Sequence, residues 1–449
     1  MATSREMTEG RALPLIFNFT LPLLLGNLLQ QTYSLVDAAI VGRFLGINAL
    51  ASVGASTSVV FLILGFCNGC CGGFGIPVAQ KFGARDYVTM RRYVAVSLQL
   101  AAVMSVVIAV VTSIYCADIL HMMSTPENIF TGAYYYLLVT FIGVPFTFFY
   151  NLLSSIIRAL GDSKTPFWFL LLSTVLNILL DLFCILVLGW GVAGAAIATL
   201  ASRVFCAVVV LWQLRMDRQP IVVRNYRQIR PDGKMIRRVL ALGIPSGIEN
   251  SMFQLGKLAI QSSVSTLGTV AIAAQAMTNI LENLNGIAAI GVGIGLMTVV
   301  GQCLGAGRKD EAVYYIKKLS VLAEIIVVAS CLLVFALTIP VTKLGGMESE
   351  SARMCFHMIS WITVVKPIVW TLAFIPAYGL RAAGDVKFSM ITSCITMWTF
   401  RFCLCVYLIR FRGFGPMAVW IGMFTDWTVR GIVFSLRFHS RKWLKHKVV

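Results

Sequence analysis

Long apolar runs separated by short polar connections recur along the chain from Leu13 to about residue 436. A helix needs about 20 apolar residues to cross the hydrocarbon core of a bilayer. Twelve such runs can be placed, near 13–41, 47–75, 93–117, 133–157, 165–189, 192–214, 238–264, 271–300, 316–340, 355–380, 386–409 and 416–436. One long polar stretch interrupts the series after the sixth run, and another follows the last. The pattern predicts an all-α polytopic membrane protein. Its expected parts are an amino-terminal lobe over 1–214, a basic linker over 215–237, a carboxy-terminal lobe over 238–437 and a basic tail over 438–449.

The two expected lobes repeat one another. Leu21-Pro22 recurs as Ile244-Pro245 and Arg158-Ala-Leu-Gly-Asp162 as Arg381-Ala-Ala-Gly-Asp385, both 223 residues on, while Gln80-Lys-Phe-Gly83-Ala recurs as Gln302-Cys-Leu-Gly305-Ala at 222. With six spans per half the repeat is parallel, which predicts a pseudo-two-fold axis along the membrane normal and a central cleft between the lobes. Glycines crowd the second span (Gly65, Gly69, Gly72, Gly73, Gly75) and the eighth (Gly286, Gly291, Gly293, Gly295, Gly301). Small residues let helices approach closely in lipid, so these spans are expected to pack tightly. In the repeated Arg-Ala-x-Gly-Asp, Asp162 and Asp385 are placed to cap the following helix and the arginines to meet lipid phosphates.

Composition agrees: 58% of residues are hydrophobic and 12% charged. The formal charge of +18 could suggest nucleic acid, but the basic residues follow loop parity. Arg5 and Arg11, Lys81 to Arg92, Arg158 and Lys164, Arg215 to Arg238, Arg308 to Lys318, Arg381 and Lys387, and Arg437 to Lys447 fall on one side, 27 of the 37 Lys and Arg, against five in the odd connections. The third connection, with Asp118, His121 and Glu127, has no Lys or Arg and fits the outside. The positive-inside rule then puts both termini in the cytoplasm and excludes nucleic acid as the partner. The twelve cysteines lie mostly in apolar runs and read as small hydrophobes, Cys67, Cys70 and Cys71 included, rather than as disulfides or a metal site. The amino terminus runs into the first span without a cleavage pattern, so no removable signal peptide is expected.

Ionisable groups inside the spans carry the chemistry, because an unpaired charge in hydrocarbon costs several kcal/mol. The first span holds Pro22, Gly26 and Asp37, and Pro22 allows a bend because it withholds a backbone donor. Asn177 and Asp181 lie four apart in the fifth span, on one helix face, and Thr199 lies in the sixth. At a rise of about 1.5 Å per residue, Asp37, Asp181 and Thr199 all fall in the outer half of the membrane. Two carboxylates, an amide and a hydroxyl at similar depth suit one or two protons, or Na+ held by oxygens. At the repeat offset Asp37 faces Ile260 and Asp181 faces Leu404, so the acids belong to the first half alone. In the second half Glu249, Lys257, Glu282 and Asn279 are substrate-cavity candidates, with Glu249 able to approach Lys257. Arg203, Lys366, Arg401, Glu324, Asp426 and Arg430 read as interhelical pairs or snorkelling groups.

Pro22 with Gly26 and Asp37, then Asn177-x-x-x-Asp181 and Thr199, on two related halves, resemble the multidrug and toxic compound extrusion (MATE) transporters, and the first lobe resembles their DinF-like branch. The resemblance implies twelve helices in two six-helix lobes around a central cleft, a cation-coupling site at Asp37, Asn177, Asp181 and Thr199, and bending of the first helix at its proline. The NorM-like acidic pair of the second lobe is incomplete here, since the seventh span offers Glu249 but the tenth span has no acid before Asp385. The expected protein is no enzyme and takes no cofactor. It is a cell-membrane antiporter, a monomer among membrane lipids, exporting small amphipathic cationic organic molecules by alternating access while H+ or Na+ moves inward. A flippase of lipid-linked saccharide or another lipid, dependent on basic residues such as Lys257 or Arg401, is the alternative. An embedded transferase is disfavoured because the Asp-rich, HExxH and paired-His patterns of such enzymes are missing.

Overall fold

The computed structural model describes residues 12–216 and 232–445, with side chains over 14–212 and 232–445. Arg5, Arg11, Arg215, Arg218, Arg224, Arg227, Arg230 and Lys447 lie outside the described side chains. Among the described residues every predicted apolar run is helical. The first half comprises α1 (Ala12–Leu45), α2 (Ile47–Gly83), α3 (Tyr87–Ile114), a short α4 (Cys116–Met122), α5 (Glu127–Ile142), α6 (Val144–Ala159), α7 (Lys164–Leu182) and α8 (Gly191–Met216). The second comprises α9 (Gly233–Val264), α10 (Thr269–Gly305), α11 (Lys309–Leu344), α12 (Ser349–Ala382), α13 (Val386–Thr396), α14 (Leu404–Arg412) and α15 (Met417–His439). Eight helices among the described residues are long and apolar enough to cross a membrane, and nine when α5 and α6 count as one span.

The fourth predicted span is broken: α5 and α6 meet at Gly143 with a bend of 48°. Pro145 sits in the first turn of α6 and has no N–H to continue the α5 ladder, so the chain restarts there. The fifth and eleventh spans instead widen into π turns, Phe183–Val187 after α7 and Met397–Cys403 between α13 and α14. Such an extra residue in a helix often marks a functional site.

The helices form two compact units. The first contains Leu21–Ser251, and the second contains Met252 onward together with the start of α1 as far as Thr20. Thus α1 and α9 each contribute to both. In the first unit Cys71 and Phe74 of α2, Tyr93 of α3, Phe148 and Leu152 of α6 and Cys206 of α8 are buried together. Polar links reinforce that packing, since Ser155 of α6 donates to the Cys71 carbonyl at 2.9 Å. The tightest contact is backbone against backbone: a Cβ on Gly73 would lie 2.5 Å from the Leu242 carbonyl oxygen of α9, and one on Gly69 would run into Ser246. Glycines also face back from α9, where a Cβ on Gly247 would meet the Cys70 sulfur at 2.7 Å.

In the second unit α10 is the central rod, burying Val292, Leu296, Val299 and Val300, while α15 buries Trp420, Trp427 and Phe434. The outward face of α3, with Val103, Val106, Val107 and Val110, is exposed, as a lipid-facing stripe should be.

The repeat extends to backbone conformation. Gly46 and Gly268, Arg85 and Gly307, Ser124 and Gly346, Gly161 and Gly384, Gly189 and Gly413, and Gly191 and Gly415 all take positive φ, each pair 222 to 224 residues apart. Arg441 is also left-handed, and its repeat position falls outside the described residues.

Candidate functional site

Two helices of the first unit each present a pair of polar side chains one turn apart. On α1 the pair is Tyr33 and Asp37, and on α7 it is Asn177 and Asp181. The carboxyls of Asp37 and Asp181 lie within hydrogen-bonding reach of each other. Asp181 is fully buried and Asn177 is 2% exposed, whereas Asp37 is half-buried.

The Asn177 amide joins the carboxylates to α8. With its nitrogen toward Asp181 it donates to Oδ2 at 2.9 Å, and its oxygen accepts from the Thr199 hydroxyl at 3.1 Å and the Thr199 N–H at 3.0 Å. The reverse orientation would set the amide oxygen against a carboxylate oxygen. Since the Thr199 proton is then engaged, the Tyr33 hydroxyl donates to Thr199 Oγ1 at 3.2 Å. A directed chain results, from Tyr33 through Thr199 and Asn177 to Asp181. Asp37 Oδ1 and Asp181 Oδ1 remain buried with no hydrogen-bond partner.

An apolar cluster lies beside these atoms. Val36, Tyr136, Ile178, Leu182 and Val192 pack against a cluster of Ile40, Val41, Ala49, Val53, Ile185 and Ala195. Tyr136 of α5 also lies within Coulomb reach of both acids and of Tyr33. Sequence reasoning passed over Tyr33 and Tyr136. Tyr33 was findable, standing one turn before Asp37 on the same face. Tyr136 carries no such signal, because nothing in its neighbourhood of the sequence marks it out from the other tyrosines of α5.

Pro22 and Gly26 are buried in α1, 15 and 11 residues before Asp37. At about 1.5 Å per residue Pro22 is roughly 22 Å along the axis from the acid. A Cβ on Gly26 would meet Leu170 at an ordinary 3.5 Å, so space against α7 does not demand glycine there.

The remaining candidates are dispersed. Glu249 is buried on the part of α9 in the first unit. Lys257, Asn279 and Glu282 belong to the second unit, where Glu282 pairs with Lys366 at 2.8 Å. Lys257 has Arg401 and Glu282, not Glu249, as its charged neighbours. Asn279 accepts from Gln275 at 3.2 Å, and Gln275 accepts from the Trp420 indole at 3.1 Å.

Comparison with known proteins fits this arrangement. The MatE family model matches twice, at residues 22–183 and 245–407, with starts 223 residues apart as in the internal repeat. The probable multidrug resistance protein YoeA of Bacillus subtilis (strain 168) is 30% identical over 438 residues, covering 94% of both chains. The probable multidrug resistance protein NorM of Thermotoga maritima is 25% identical over 441 residues, covering 97% of this chain and 94% of its own. Among solved structures, MATE in the straight conformation superposes with a TM-score of 0.87 at 23% identity, covering 97% of each chain. MATE in the bent conformation gives 0.86 at 22%, covering 96% of each. Those superpositions establish the two-lobe helical fold. The chain belongs to the MatE family: it is a multi-pass membrane transporter of the multidrug efflux class and not an enzyme.

Proposed function

We propose that the protein is an antiporter of the cell membrane that exports small amphipathic organic molecules bearing a cationic group, driven by inward movement of H+ or Na+ through Asp37 and Asp181. One observation carries this reading. Two carboxyls meet in the interior of the first unit, beside an apolar cluster, each with a buried oxygen that no protein group satisfies. An Asp at the bilayer centre costs about 3 kcal/mol on insertion scales, less toward the outer face where these two lie, and two side by side repel as well. Such a pair persists because a small cation comes and goes.

With both acids ionised the site attracts positive charge; with a proton or Na+ bound that attraction is lost. An exporter needs this competition, since binding of the inward ion must lower affinity for the outward passenger. The carboxylates suit either ion, a proton shared between them or Na+ held by their oxygens, and the Asn177 amide ties Asp181 to Thr199 of α8. Pro22 supplies the place where α1 bends as the acids change charge. The first-half acid set supports the DinF-like branch. Basic-residue parity supports cytoplasmic termini, and the chain is expected to work as a monomer surrounded by lipid.

Reconstitution into liposomes, with pH and Na+ gradients imposed separately and a cationic dye as cargo, tests the reading. Asp37→Asn and Asp181→Asn are each expected to reduce gradient-driven efflux to the protein-free background while the protein still inserts and purifies as a single species. Gradient-dependent efflux at the parental rate in Asp37→Asn would defeat the assignment. The gradient that by itself drives efflux identifies the coupling ion.

A further inference from the structure

Four bases and two acids meet in the interior of the second unit. Lys366 of α12 pairs with Glu282 of α10 at 2.8 Å, and Arg430 pairs with Asp426, one turn earlier on α15, at 3.0 Å. Lys366 and Asp426 are fully buried and Arg430 is 3% exposed. Each acid therefore already faces a base.

Lys257 of α9 and Arg401, in the π turn before α14, are left over. Both lie over the Phe253 ring, with Lys257 Nζ 4.9 Å and the Arg401 guanidinium carbon 5.1 Å from its centroid. Neither makes a hydrogen bond or ion pair with a protein group among the described residues. Arg401 is 5% exposed and its Nε is buried without an acceptor. Lys257, by contrast, is accessible. Coulomb reach connects Lys257 with Arg401 and Glu282, and Arg401 with Asp426, Arg430 and Glu282, so these four bases outnumber their two acids by two charges.

An aromatic face attracts a cation but offers no acceptors to a guanidinium with five N–H donors. A buried charge left in that condition costs several kcal/mol. An oxyanion removes the cost, because the planar fork of Arg matches two oxygens of a carboxylate, sulfonate or phosphate, and Lys adds a point charge. Like the acids of the first half, these bases are not part of the shared scaffold: at the 223 offset Lys257 faces Ser34 and Arg401 faces Ile178.

We propose that Lys257 and Arg401, whose charges share the Phe253 ring, form an anion site in the second unit that takes the oxyanion head of an amphipathic molecule. The site reaches beyond export of cations. It depends on none of the acids in the first unit and stands whichever ion they carry.

The test uses full-length protein in a non-ionic detergent and two amphiphiles of equal chain length and opposite head charge, dodecyl phosphate and dodecyltrimethylammonium. Dodecyl phosphate should raise the Tm at concentrations where dodecyltrimethylammonium does not. Arg401→Gln and Lys257→Gln should each weaken the dodecyl phosphate effect about tenfold or more, while Arg401→Lys, which keeps the charge but not the fork, should weaken it less than Arg401→Gln. Should Arg401→Gln fail to fold, Lys257→Gln, at the accessible position, gives the reading. Native mass spectrometry separates the sources. An acidic phospholipid retained by the parent and lost from Lys257→Gln assigns a lipid headgroup, and dodecyl phosphate binding without a retained lipid assigns a small amphipathic anion; either supports the site. Equal stabilisation by the two amphiphiles, or unchanged dodecyl phosphate affinity in both Gln variants, overturns it.

Discussion

Asp86, in the connection between α2 and α3, shows what one carboxylate does at a helix start. It accepts from the Thr89 N–H at 3.1 Å and pairs with Lys81 at 3.1 Å. Hydrogen bonds from Thr89, then the Lys81 ammonium, hold its carboxyl below the usual carboxylate range. A depressed folded value means that Asp86 stabilises the fold above the unfolded carboxylate value and loses that contribution as pH falls through the folded one. Asp86→Ala should therefore lower stability by about 1 kcal/mol at neutral pH, chiefly by loss of the cap, and the gap to the parent should narrow in thermal melts as acid protonates Asp86 in the folded protein. Ser124 offers the opposite case. It is exposed and left-handed at φ 53°, where its repeat counterpart is Gly346. Ser124→Gly should raise stability by about 0.5–1 kcal/mol, seen as a small increase in Tm. At this scale the sequence exposed motifs more readily than partners. Asp162 caps α7 as expected, accepting from the Lys164 and Thr165 N–H groups at 3.0 and 3.1 Å. Asp385, in the same motif, makes no such cap and instead pairs with Arg437 at 2.7 Å. That partner lies 52 residues away, beyond the reach of any local rule.

Among elements, the crossing of α2 and α9 is the least tolerant of added volume. Gly73→Leu should destabilise the protein by about 2 kcal/mol or more, because backbone rather than a flexible side chain occupies the space. Gly72→Ala, with nothing within 4 Å of its Cβ position, should be close to neutral, and comparison of the two melts checks the crossing. A run of glycines foretold close packing but not which glycine does it, since that depends on the rotation of one helix against another. Prolines were similarly ambiguous: Pro22, Pro245 and Pro367 lie inside continuous helices, whereas Pro145 stands at a break. The buried pair on α15 makes a separate prediction. Asp426→Ala alone should cost about 3–5 kcal/mol by stranding Arg430, and replacing both residues with apolar ones should recover much of that loss in unfolding experiments.

For the molecule as a whole, the helical fold was legible because a bilayer imposes a length on every span, and the repeat because its motifs kept their spacing. The proposed orientation predicts that a fluorescent protein fused to the carboxy terminus folds and emits, while alkaline phosphatase at the same place stays inactive; the reverse result would invert the topology. From the residues alone, the convergence of Asp37 with Asp181 is legible only as similar depth; Lys257 reads as a cavity residue and Arg401 as a paired or snorkelling group, or both as the basic residues of a lipid flippase, but not as two bases that share one ring and lack an acid of their own. Their isolation depends on which acids are already engaged, which no single stretch of sequence reveals.

The matched left-handed residues have an evolutionary consequence. Corners are held in common by the two halves, while ionisable side chains within the membrane are not. Whatever ancestor was doubled had thus settled its turning points before its descendants acquired their separate chemistries, leaving a frame onto which new charge can be grafted without moving a single bend.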